Sequence, residues 1–132
     1  MENADRLCRE ILATLWRQSP VNATYLGIHD HDGRLGEFDA DALAAQRAEL
    51  QAQRAAIQSL RKTDAQVSAD QRLDLALLEA ELEMLVRTQD EIRPAFRNPC
   101  IYLEEVTFGV YLLMLREFAP AEDRAGSMLA RL

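Results

Sequence analysis

Residues 68–93 read SADQRLDLALLEAELEMLVRTQDEIR. Ser68 followed three positions later by Gln71 is a capping-box pair, in which each side chain satisfies a backbone N–H that the first turn of a helix leaves orphaned. Leu75, Leu78, Leu82, Leu85 and Ile92 then recur in a near-heptad pattern interrupted at Gln89, so one face of a long helix is apolar. Pro94 limits that helix near Ile92 or Arg93, because the residue before a proline is pushed out of the helical region. Upstream, Asp39 is a good N-cap for a second long helix reaching about Lys62. Its apolar residues Leu43, Leu50 and Ile57 recur every seven positions, with Leu60 three further on. Each helix is about 35 Å long at ~1.5 Å per residue. The short Thr63–Val67 link between them predicts an antiparallel hairpin of these second and third helices.

Working outward, a first helix is expected from about Ala4 to Gln18. Asn3 would cap it, Asp5 suits its positive end, and Ser19-Pro20 stops it. Leu7, Ile11, Leu12, Leu15 and Trp16 form its core stripe. From Pro20 to Phe38 the periodicity breaks. Pro20 can open a short helical turn through Tyr25, after which Gly27, Gly33 and Gly36 punctuate a polar loop. Asn98-Pro99 reads as N-cap and first position of a fourth helix, whose residues from Ile101 through Leu115 to Phe118 are apolar on nearly every side. Such a helix is expected at the centre of a fold. A fifth begins at Pro120, with Glu122 and Asp123 in its first turn. Its stripe of Met128, Leu129 and Leu132 stops at the last residue without a cap. The reading is all-α: an antiparallel helical bundle of four to five helices with a long helix-two/helix-three hairpin. Residues 1–132 are expected to form a single helical segment cut from a longer chain.

Composition supports this and removes several function classes. Apolar residues make up 48%, with five Gly and four Pro, which suits a packed helical core rather than disorder. The net charge of −7 and a single Lys argue against a nucleic-acid partner, since phosphate neutralisation needs clustered cations. No apolar run approaches the ~20 residues of a membrane span, and Met-Glu-Asn-Ala-Asp is not a signal peptide. The expectation is a cytoplasmic protein with no membrane partner. Cys8 and Cys100 are too few and too isolated for a disulfide framework or zinc knuckle and are expected as reduced, partly buried thiols.

Four groups have the residue types of a chemical site. His29-Asp30-His31-Asp32 offers imidazole and carboxylate donors on a loop, but no third and fourth ligand can be named, and Asp32-Gly33 is equally a turn dipeptide. Glu79 with Glu83, and Glu104 with Glu105, are paired carboxylates. A di-iron bundle would need histidines on the same helices, and none is there, so these read as solvated faces with Glu83 and Arg87 as an i,i+4 pair. Ser19, Ser59, Ser68 and Ser127 lie outside any nucleophile elbow. Cys100, at a helix start, is the better placed thiol, while packing is the plainer reading. No catalytic, cofactor-binding or metal residue is therefore assigned.

Three stretches carry a family resemblance. The first is Pro20-Val21-Asn22-Ala23-Thr24-Tyr25-Leu26-Gly27-Ile28-His29, followed by Asp32 and Leu35. The second is Arg97-Asn98-Pro99 with Tyr102, leading into the apolar helix. The third is Arg124 with Ala130-Arg131-Leu132. In this order and spacing the chain resembles the bacterial family catalogued as domain of unknown function 885. His31 and Gly36 depart from it, standing where an aromatic and an acid are expected. The resemblance implies a longer, mostly helical protein, distantly similar to zinc metallopeptidases, whose His-Glu-x-x-His helix lies in a later part. Zinc would belong to that part, with no cofactor in this chain. The function implied is a non-catalytic N-terminal helical scaffold that walls a cleft, with the remainder of its own chain as partner. The alternative is a free-standing helical module for self-association or protein interaction.

Overall fold

A computed structural model describes residues 2–63 and 67–132. Its elements are α1 (Glu2–Gln18), α2 (Pro20–Leu26), α3 (Ala40–Thr63), α4 (Ala69–Arg87), α5 (Pro94–Arg97), α6 (Cys100–Leu115) and α7 (Ala121–Arg131), with a π-helical turn over Thr88–Ile92. No strand occurs among the described residues, so the fold is all-α as expected. No helix is long and apolar enough to cross a membrane among those residues.

The chain divides into two compact units, one built from residues up to Thr14 with Asp39–Arg93, the other from Leu15–Phe38 with Pro94–Leu132. In the first unit, α3 and α4 pack on each other. Arg47 meets Asp90, Arg54 meets Glu83 at 2.8 Å, and Arg61 meets Glu79 at 2.6 Å. Partner numbers fall on α4 as they rise on α3, which makes the pair antiparallel. The link read as Thr63–Val67 lies in part outside the described residues. Ile11, Leu50, Ile57, Leu75 and Leu82 are fully buried and form the core of this unit. Polar ties add α1 to the hairpin: Gln71 donates to Asp5 at 2.7 Å, and Gln53 donates to Thr14 at 2.7 Å. The capping box is present, with the Gln71 N–H on Ser68 and the Ser68 N–H on the Gln71 side chain.

Several expected details change. Asn3 lies inside α1, which starts at Glu2, and so is not its cap. Glu83 does not pair with Arg87 along the helix. It reaches across to Arg54, and Arg87 turns to Glu91 at 3.2 Å, because a facing cation on α3 is in reach. Helix α4 leaves α geometry after Arg87, and Arg93 closes the π turn in the left-handed region at φ 53°. The fourth helix ends at Leu115, short of Phe118.

In the second unit α6 packs against α2 and α7. The sequence placed this helix at the centre, yet only Gly109, Leu112 and Leu113 are buried along it. Leu103, Phe108, Tyr111, Met114 and Leu115 stand in water, Leu103 at 66% exposure. With α5 these neighbours cover one stripe of a cylinder, and much of the apolar surface stays open.

The hairpin should be sensitive to acid through Glu79. A hydrogen bond from Gln58, aided by Arg61, holds its carboxyl below the ordinary value of 4.5 against the opposing effect of burial. A depressed folded-state pKa contributes stability that is present above the unfolded value and lost as pH falls through the folded one. Urea melts from about pH 6 down to about pH 3 should show Glu79→Gln with a shallower loss of stability than the parent. Identical slopes would remove Glu79 from the account.

Candidate functional site

The polar loop after α2 is held by a buried cluster. Gly27 takes the left-handed conformation at φ 87° and ends α2, a backbone position suited to a residue without a β-carbon. The chain then turns twice, with Asp32 N–H on the His29 carbonyl and Arg34 N–H on that of His31. These turns send Asp32 inward, where it is buried. Its Oδ1 lies 2.7 Å from the Thr24 hydroxyl and its Oδ2 lies 2.9 Å from His29 Nδ1. The His29 ring stacks flat on Phe118, with centroids 3.6 Å apart and planes 10° from parallel.

Arg131 reaches the same cluster from α7. It is 4% exposed, donates from Nη2 to the Thr24 hydroxyl at 2.8 Å, and donates from Nη1 to the Gly109 carbonyl. Burial pulls its guanidinium below the usual arginine value, while Asp32 and Glu105 act in the opposite direction. A buried charge is tolerated only where hydrogen bonds and an opposite charge replace water, and Thr24 relays Arg131 to Asp32. Gly109 lets Val21 and Leu35 close on α6 beside this carbonyl. A β-carbon there would stand 3.0 Å from Val21 Cγ2 and 3.1 Å from Leu35 Cδ2.

The cluster joins α2, the loop and α7 through one hydroxyl. The Thr24 hydroxyl accepts from Arg131, and its single proton is shared between Asp32 and the Pro20 carbonyl at 3.1 Å. Both Asp32 oxygens are engaged within the cluster, one by Thr24 and one by His29. Among the described residues no three His, Cys, Asp or Glu side chains converge as metal ligands. Of the four loop residues weighed as donors, His29 and Asp32 are joined to each other, while Asp30 is exposed and His31 is half-buried. The Nδ1 contact with Asp32 fixes the orientation of the His29 ring.

The other candidates also find structural work. Glu105 is not a freely solvated acid, since its Oε1 accepts the Gly36 N–H at 2.6 Å and pins the loop to α6. Cys100 is exposed rather than packed, and Asn98 Oδ1 caps its N–H at 3.0 Å. Burial pushes the Cys8 thiol up, with Asp74 and Asp5 adding to the effect, which opposes the thiolate a nucleophile needs. Arg124 closes the α6–α7 corner on the carbonyls of Leu113 and Ala119, both at 3.0 Å. Tyr102 donates to the Ala95 carbonyl at 2.7 Å and ties α5 to α6. Beside α6 lies a groove of about 820 Å³ walled by Val21, Phe38, Ile101, Phe108 and Tyr111, with Glu104 and Glu105 at its edge. Residue chemistry alone did not single out Thr24 and Arg131. The available signal was an arginine one turn beyond Met128 on the apolar stripe of its helix.

Arg131→Met should lose about 3 kcal/mol of stability, since Thr24 and Asp32 then keep a buried charge without its partner. His29→Gln should lose about 1 kcal/mol through the ring stack and the Asp32 bond, and His31→Gln well under ~0.5 kcal/mol. Zinc should not raise the melting temperature of the parent, because a metal that binds the folded state must stabilise it by mass action. Equal losses at both histidines, or a zinc-induced rise abolished by replacing both, would restore the loop as a metal site.

The landmarks that fix this unit, from Pro20 and Thr24 through Asn98 and Tyr102 to Arg124 and Arg131, are the ones on which the family resemblance rests. Neither the curated proteins nor the solved structures include a match to the chain. Residues 20–132 match DUF885, described as bacterial proteins of unknown function, and the chain belongs to that family.

Proposed function

We propose that the chain is a non-catalytic helical scaffold, the N-terminal portion of a metallopeptidase-like protein, whose α6 surface receives another part of that protein. The observation that carries this reading is α6 itself. It is apolar on nearly every side, while its neighbours α2, α5 and α7 bury only the stripe of Gly109, Leu112 and Leu113. Burying apolar area contributes ~25 cal/mol per Å², so covering Leu103, Tyr111, Met114 and Leu115 recovers several kcal/mol, roughly, on a domain scale of ~5–15 kcal/mol. Contiguous exposed apolar surface of this kind marks an interaction site more often than a free face. His29, Asp32 and Thr24 serve this scaffold by holding the loop to α2 and α7. Zinc and the reacting groups, where the family resemblance places them, belong to a separate helix.

Two measurements test this. The purified chain should hydrolyse neither peptide nor ester substrates, with or without zinc, and zinc-dependent turnover lost on replacing His29 or His31 would overturn the non-catalytic assignment. The coding sequence beyond the Leu132 codon should remain open and contain a His-Glu-x-x-His helix. That later segment, expressed separately, should bind the chain and lose binding at least tenfold with Leu103→Glu or Tyr111→Glu. A stop codon directly after Leu132 would favour the free-standing association module instead.

A further inference from the structure

Helix α4 carries a second apolar face that its own unit does not use. Leu75, Leu82 and Val86 point into the hairpin core. On the opposite side, at ~100° per residue, lie Leu73, Leu77, Ala80 and Met84, all exposed, with Leu73 at 71% and Leu77 at 70%. Asp70 and Arg87 extend the same stripe at its two ends and are also exposed. The six positions are spaced 3, 4, 3, 4 and 3 residues apart, which is the a/d spacing of a coiled coil.

This seam is its own complement when reversed. In an antiparallel pair each a position faces a d position, so Leu77 meets Ala80 of a second copy and Leu73 meets Met84. Large side chains then oppose smaller or more pliant ones in each layer. At both ends Asp70 meets Arg87 of the second copy, an opposite-charge pair. A parallel pair would instead set Asp70 against Asp70 and Arg87 against Arg87. We propose that α4 is a homodimerisation face, and that two copies of this chain associate through antiparallel pairing of the Asp70–Arg87 seam.

The π turn over Thr88–Ile92 breaks the register directly after Arg87, and the helix starts at Ala69. The seam therefore fills the whole helix, about 25 Å of it, and goes no further. Arg87 now holds Glu91 in an exposed intrahelical pair, an interaction weak enough to exchange for Asp70 of the second copy. One flank opposes association. Asp74 and Glu81 border the seam, and in the antiparallel pair they lie across from each other, like charge against like.

The face belongs to the first unit, so its test is separate from that of α6. Sedimentation equilibrium over a concentration series should give a monomer–dimer equilibrium for the parent chain. Leu77→Glu should weaken it at least tenfold, while Leu103→Glu on α6 should leave it unchanged. Asp70→Arg or Arg87→Asp alone should weaken it, and the two together should restore it, because the pair is re-formed with its signs exchanged. Glu81→Lys should tighten it by giving Asp74 of the second copy a partner. Circular dichroism at dimer-free dilution checks that each variant keeps its helix content. A parent that stays monomeric, a Leu77→Glu variant that dimerises as before, or a double charge exchange no better than the single ones would each overturn the proposal.

Discussion

A helix packed on one neighbour can bury only a stripe of its surface, and this chain places apolar residues on more of its helical surface than its own elements cover. That constraint governs both units. In the first, α4 spends Leu75, Leu82 and Val86 on the hairpin and still shows Leu73, Leu77 and Met84 to water. In the second, α6 is seated through Gly109, Leu112 and Leu113 and leaves most of its circumference open. The two helices differ in kind. The open face of α4 is a narrow stripe bounded by charges, whereas α6 has no polar side that could serve as a finished surface.

Against that excess of apolar surface, the second unit depends on a few polar anchors for its definition. Hydrophobic contact is non-directional and would let α2, α6, α7 and the Gly27–Phe38 loop slide over one another. The Arg131–Thr24–Asp32–His29 chain of hydrogen bonds fixes the loop and α7 to α2, and Glu105 fixes the loop to α6 through Gly36. Such networks specify one arrangement because leaving any member unpaired in a low-dielectric interior costs more than its net contribution.

The hairpin was legible in the sequence because its signals are local. Ser68 with Gln71, Asp39 at a helix start, and the seven-residue spacing of Leu43, Leu50 and Ile57 each specify structure within a turn or two. The match to the expected all-α fold follows from them. Asp39 caps as read, its Oδ1 accepting the Ala42 N–H at 2.9 Å. What escaped was non-local. The partner of Glu83 lies 29 residues away, and Arg131 meets Thr24 over 107 residues. Neither pairing leaves a periodic trace. The His29–Asp32 loop shows donor types in the sequence, but its ties to Thr24 and Arg131 leave no local pattern there. The central position expected of α6 failed for a related reason: periodicity reports how apolar a helix is, not whether anything is present to cover it.

Glycine in the middle of a helix loosens it by roughly 0.5–1 kcal/mol relative to alanine, so its presence at the crossing point of α6 asks for a return. At Gly109 the return is close packing beside a carbonyl that Arg131 uses. Helix backbone is normally sheathed by its own side chains, and the second lone pair of each C=O goes unused. With no β-carbon at 109, Val21 and Leu35 close on the helix and form a notch, and beside it Arg131 donates to the Gly109 oxygen. The notch turns a greasy cylinder into a surface with one addressable polar point, and that point sets both the rotation of α6 about its axis and its position along it. Enlarging residue 109 would thus blur the helix in two coordinates at once, whereas the same change at Gly126, which has open space around it, would meet no neighbour at all.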